Sequence, residues 1–162
     1  MPAPADWCLE MVALFRAAAL SDADAIGDIY LASRKRFLPY APLVHTDEDV
    51  RQWIAGHLIP RADVTVALVG GKVVGMMAVS HDGVTGWIDQ LYLEPRMVGQ
   101  GLGTRFIEQA KARLGSPIRL YTFQANEGAR RFYERHGFTA IAYGDGSGNE
   151  EKCPDVLYEW RL

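Results

Sequence analysis

The chain has 162 residues, 49% hydrophobic and 23% charged, with a net charge of −3 and a pI near 5.8. That length suits one globular domain, residues 1–162, with a core of its own and no room for a second. The acidic balance argues against nonspecific nucleic-acid binding, no apolar run reaches membrane-spanning length, and the N-terminal segment lacks a signal-type basic start and apolar block. A cytoplasmic protein without nucleic-acid or membrane partners is therefore expected.

The first ten or so residues, with Pro2 and Pro4, are expected to be loose or lightly docked. Alternating apolar character from Met11 to Arg16 predicts the first strand. Ser21, Asp22 and Asp24 then read as a helix cap, with Ile26, Ile29, Tyr30 and Phe37 on the apolar face of a helix reaching about Arg36. Arg34, Lys35 and Arg36 read as its solvated end, and Pro39 and Pro42 stop it. A second helix is capped at Thr46, with Asp47, Glu48 and Asp49 in the first turn, where the helix dipole favours acids. Val50, Trp53, Ile54, His57 and Leu58 form its buried stripe, and Pro60 follows. Val64–Val69 and Lys72–Ser80 flank Gly70-Gly71 as a hairpin, and Asp82-Gly83 makes another turn into a strand, Trp87–Leu93.

Glu94 and Pro95 end that strand, and Gly99, Gly101 and Gly103 lead into a helix whose apolar face is Leu102, Phe106, Ala110 and Leu114. Ile118–Phe123 reads as a strand, the segment with Tyr133 as a helix ended by Gly137, and Phe138–Tyr143 and Val156–Trp160 as the last two strands. The Gly- and Asp-rich stretch Gly144–Pro154 between them reads as a mobile hairpin loop. This order predicts an α/β sandwich, a mixed and mostly antiparallel sheet with helices on both faces. Cys8 and Cys153 have no ligand-like spacing to each other or to the histidines, so two reduced thiols and no metal are expected.

A strand, a glycine turn and a helix make an anion site, because the first N–H groups of a helix lack intrahelical partners and the dipole is positive there. The spacing excludes two phosphate motifs. The sixth position from Gly99 is Thr104 and from Gly101 is Phe106, against a dinucleotide fingerprint, and no Lys stands where a P-loop needs one. Leu91, Tyr92, Leu93 and Pro95, followed by Gly101 and Gly103, resemble the pyrophosphate-binding motif of the GNAT superfamily of acyl-CoA-dependent N-acetyltransferases. Val98 stands where that motif usually has Gln or Arg. Asn126, Ala129, Phe132, Tyr133, Gly137 and Phe138 match the second signature of the superfamily at every named position.

The resemblance implies a GNAT-like fold and acetyl-CoA as co-substrate. Its pantetheine arm would lie along Leu91, Tyr92 and Leu93, in a gap between that strand and the one ending near Phe123. Its diphosphate would sit on Val98, Gly99, Gln100, Gly101, Leu102, Gly103 and Thr104, with Asn126, Ala129 and Tyr133 along the later helix. Tyr133 takes the general-acid position, although a phenol with pKa near ~10 protonates a thiolate of conjugate-acid pKa ~8.5 only modestly uphill. Tyr40 and Trp53 lie in the region that walls the acceptor site, Trp53 reading first as core. The usual Glu is replaced by Gln90, which cannot take a proton. Strand alternation points Asp89 to the other sheet face unless a bulge intervenes. The amine is then expected to lose its proton through water, or to His81 or His45. The acceptor is a small-molecule, peptide or protein amine, and the alternative is a CoA-binding regulatory or interaction domain without catalysis.

Overall fold

The structure, a computed structural model, describes residues 12–162. Cys8, the N-terminal ten residues and the expected strand start at Met11 lie outside the described residues. Seven strands form one sheet: β1 (Ala13–Ala17), β2 (Asp63–Val69), β3 (Lys72–His81), β4 (Gly86–Leu93), β5 (Ile118–Phe123), β6 (Thr139–Gly144) and β7 (Asp155–Trp160). Their order is β1-β2-β3-β4-β5-β7-β6. Only β4 and β5 pair in parallel, through two register pairs, Gly86↔Ile118 and Trp87↔Arg119. Beyond Trp87 the strands part, and the sheet opens as a V.

The two faces follow from strand alternation. Met76 and Ala78 point toward α1 (Ala23–Phe37) and α2 (Asp47–Trp53), meeting Ile26, Ile29, Val50 and Ile54. Met77 and Val79 point the other way, to Phe106 and Ile107 of α4 (Leu102–Leu114) and to Tyr133 of α5 (Glu127–Arg135). Phe106 and Ile107 are fully buried, each stabilising the fold by about 1.5–3 kcal/mol. No helix among the described residues is long and apolar enough to cross a membrane.

Four local expectations are corrected. A 3-10 turn, Leu20–Asp22, precedes α1, so Ser21 is not its cap; the Asp22 carboxylate instead accepts from the Ala19 N–H and pairs with Arg16 at 2.7 Å. At the other end of α1 the basic cluster is not wholly solvated, because Arg34 is only 6% exposed whereas Phe37 turns outward. Thr46 does cap α2, through the Asp49 N–H, but Trp53 and His57 are exposed. A π turn at Ile54–Leu58 shifts the bonding from i−4 to i−5, as in Ile59 N–H to Ile54 O, and rotates the apolar stripe. The helical path then continues through Pro60 in α3 (Ile59–Arg61). Finally, the β6–β7 connection is docked. Asn149 bonds the Cys153 carbonyl and N–H, Glu151 pairs with Arg34 at 2.9 Å, and Glu150 meets His45 at 3.1 Å.

Candidate active site

A bulge sets the chemistry of the V. Ala78 pairs with Gln90 but Val79 pairs with Ile88, leaving Asp89 as an extra residue in β4. Ile88 and Leu91, three residues apart, therefore both face the α4 side, which a regular strand forbids. Asp89 is re-aimed to the mouth of the V beside Gln90. It keeps solvent access, yet crowding raises its carboxyl above the ordinary value, partly offset by the Ser80 hydroxyl.

Two cavities meet at this point. One, of about 510 Å³, runs between β4 and β5 to the start of α4, and the other, of about 970 Å³, lies between α1, α2 and the β6–β7 connection. Arg34, Asp89, Gln90, Tyr92 and Phe123 line both. Leu91, Tyr92 and Leu93 border the smaller cavity, and the edge of β4 beyond Trp87 is not paired with β5.

At the far end of the smaller cavity, Gly99 and Gly101 take φ of +82° and +89°, the left-handed region that glycine adopts without penalty. Arg105 makes the first helical bond, to Gly101 O, so the amides just before it have no partner within the helix. Gly103 has a different use. A Cβ there would come within 2.9 Å of the Phe132 ring, so the missing side chain lets α4 and α5 cross closely. Thr104 donates its hydroxyl proton to His136 Nε2 at 3.0 Å, because Nδ1 must carry the ring hydrogen to reach the Phe132 carbonyl at 2.8 Å. Val98, Gly99, Gly101, Gly103 and Thr104 line the cavity. Gln100 and Leu102 do not, since Gln100 bonds Arg96 O and Leu102 is buried in the core.

Asn126 caps α5 by accepting from the Ala129 N–H at 3.2 Å, and both residues border the smaller cavity. Tyr133 borders it too, packed edge-on against Phe132 and Phe138. Burial, and secondarily the neighbouring Tyr92, holds its phenol above the ordinary value. On the same helix Arg130 bonds the Tyr158 hydroxyl and Arg131 reaches Glu127, while Arg135 extends to the cavity wall beside His136.

The histidines proposed from sequence part company. His81 ends β3, where its Nδ1 accepts from the Gly83 N–H, and borders neither cavity. His45 stands on the wall of the larger one, as does Trp53, whose ring is 6.2 Å from Tyr30. The ring of Tyr40 meets that of Phe123 at 6.4 Å. Sequence reasoning admitted Asp89 only in the event of a bulge, and missed Arg34. No sequence signal marks the bulge, but Ile26, Tyr30 and Arg34 recur every four residues, which could have placed Arg34 inward. Among the described residues no group of three or more His, Cys, Asp or Glu is placed to hold a metal ion.

The sequence model of the Acetyltransferase (GNAT) family matches residues 29–138. No curated protein matches the chain by sequence. Solved structures share the fold. Apo YjaB from Escherichia coli is 19% identical with a TM-score of 0.76, the match covering 93% of this chain and 98% of that one. The PaiA N-acetyltransferase of Thermoplasma acidophilum, in complex with coenzyme A, is 17% identical with a TM-score of 0.74, over 94% and 100%. The ribosomal-protein-S18-alanine N-acetyltransferase of Escherichia coli is 13% identical with a TM-score of 0.71, over 93% and 94%.

Proposed function

Because this chain belongs to the GNAT acetyltransferase family, we propose that it moves an acetyl group from acetyl-CoA to a primary amine, by direct attack in a ternary complex. The observation that carries this reading is the junction of the two cavities at the mouth of the V, with Asp89 lining both and Tyr133 on the wall of the smaller one. The thioester arrives along the unpaired edge of β4 at Leu91, Tyr92 and Leu93, and the diphosphate rests on the amides from Gly99 to Thr104. Arg135 supplies from α5 the cation that Val98 does not. The amine enters from the larger cavity.

In this scheme Asp89 takes a proton from the incoming ammonium, the role that Gln90 cannot fill. The freed nitrogen pair attacks the carbonyl carbon, the C–S bond breaks, and its electrons leave on sulfur. Tyr133 donates to that thiolate and regains its proton from solvent, while the second nitrogen proton passes to solvent as the amide forms and Asp89 releases the first. The raised phenol pKa makes Tyr133 a persistent hydrogen-bond donor more than a strong acid.

Two measurements test the reading together. Calorimetry should give saturable heat with CoA and with acetyl-CoA, and a thiol-release assay over a panel of amines should show CoA freed in proportion to acetylated amine. Binding without release from any amine would leave a CoA-binding domain; no binding on folded material at millimolar ligand would remove the site.

A further inference from the structure

The acceptor class follows from what lines the larger cavity, given the acyl-transfer reading on which this step rests. Six carboxylates border it, Asp49, Asp89, Asp145, Glu150, Glu151 and Asp155, against one arginine, Arg34, and one histidine. With the histidine neutral, five negative charges stand uncompensated, more than the net −3 of the whole chain. The negative charge is therefore concentrated at this cavity and is not a reflection of composition.

Three separate segments deliver it. Asp49 comes from α2, Asp89 from the β4 bulge, and the rest from the β6–β7 connection and the first residue of β7. That connection is held over the cavity by the Arg34–Glu151 pair, whose side chains are 7% and 16% exposed. A rim fixed in this way is a wall. What makes the cavity a site is its junction with the V; the charge decides what enters it.

Part of the remaining wall is aromatic. Tyr30 lies 4.7 Å from Tyr92 and 6.2 Å from Trp53, ring to ring, and all three border the cavity. Such surfaces accept methylene chains and the faces of cations alike. The volume, about 970 Å³, is at the upper end of small-molecule sites, roughly 300–1,000 Å³. An amino acid would bring its own carboxylate against like charge, and a short monoamine would leave most of the cavity unfilled. We infer that the acceptor is a small polycation: a linear molecule with two or more amines separated by apolar chain, one delivered to Asp89 while another is held by the rim carboxylates.

The test is steady-state acetylation of spermidine, butylamine, glutamate and a short lysine-rich peptide at saturating acetyl-CoA. Spermidine should exceed butylamine in kcat/KM by about fivefold at low salt, the upper end for one partly exposed ion pair. The advantage should shrink as added salt shortens the screening length toward ~3 Å. Asp49→Asn combined with Glu150→Gln, both on the rim, should raise the KM for spermidine severalfold and that for butylamine, which carries a single charge, by a smaller factor. Equal or better use of butylamine or glutamate overturns the proposal while leaving acyl transfer intact, and so does a tenfold preference for the peptide. If acetyl-CoA binds but no amine is acetylated, the acyl-transfer reading fails first and this proposal with it.

Discussion

At Asp89 and Tyr133 the surroundings move both groups in the same direction with opposite uses. Crowding raises the Asp89 carboxyl, which makes its carboxylate form a better base, and burial keeps the Tyr133 phenol protonated. Asp89→Asn should lower kcat/KM by roughly 10²- to 10³-fold and remove the acidic limb of the pH profile, since only the ionised form accepts a proton. Full activity with the limb intact would dismiss Asp89 as the base. Tyr133→Phe should reduce kcat by about 10²-fold or less, with acetyl-CoA affinity nearly unchanged. No alkaline limb below pH ~10 should be traceable to that phenol, and comparing the two profiles checks this. Asp82 concerns stability instead. The N–H groups of Thr85 and Val84 and the Trp87 indole hold its carboxyl down to about 2. A folded pKa below the unfolded value of ~3.9 stabilises the protein above that value and is lost as pH falls through the folded one. The melting-temperature gap between wild type and Asp82→Ala should thus be open at pH 7 and close between about pH 4 and pH 2.

Elements place these groups through a few glycines and one bulge. Gly146 has φ of +90°, and a Cβ there would lie 2.5 Å from the backbone carbon of Cys153. The left-handed conformation alone costs a side chain roughly 1–2 kcal/mol, and backbone cannot step aside as a side chain tip can. Gly146→Ala should therefore unseat the β6–β7 connection, raising the KM for the amine while calorimetry with CoA stays near wild type. A rise in both would mean the two cavities do not separate cofactor from acceptor. Gly103 shows why a motif glycine can serve packing: its role in the crossing of α4 and α5 is invisible in a pattern that suggests only phosphate approach.

On the scale of the whole molecule, the sheet is two antiparallel parts, β1–β4 and β5–β7, joined by the short parallel contact at Gly86 and Trp87. A ligand strand laid in the V would bridge them. CoA at 100 times its dissociation constant should stabilise the fold by about 2.7 kcal/mol. Hydrogen exchange should slow at β4 residues beyond Trp87 and at the amides that begin α4. Slowing confined to α4 would argue that the diphosphate binds but the pantetheine arm does not lie along β4.

The strands, the two long helices, the glycine loop and the Tyr133 helix were legible because each depends on local periodicity and turn chemistry, read along the chain. The GNAT resemblance rested on the same kind of local pattern at Leu91–Gly103 and Asn126–Phe138. Asp89 was not assigned there, because one extra residue in β4 reverses which face a side chain meets, and that slip exists only against β3. Arg34, Glu151 and the carboxylate wall were likewise out of reach. They come from segments more than a hundred residues apart, and charge becomes a cavity only when folding sets those segments face to face.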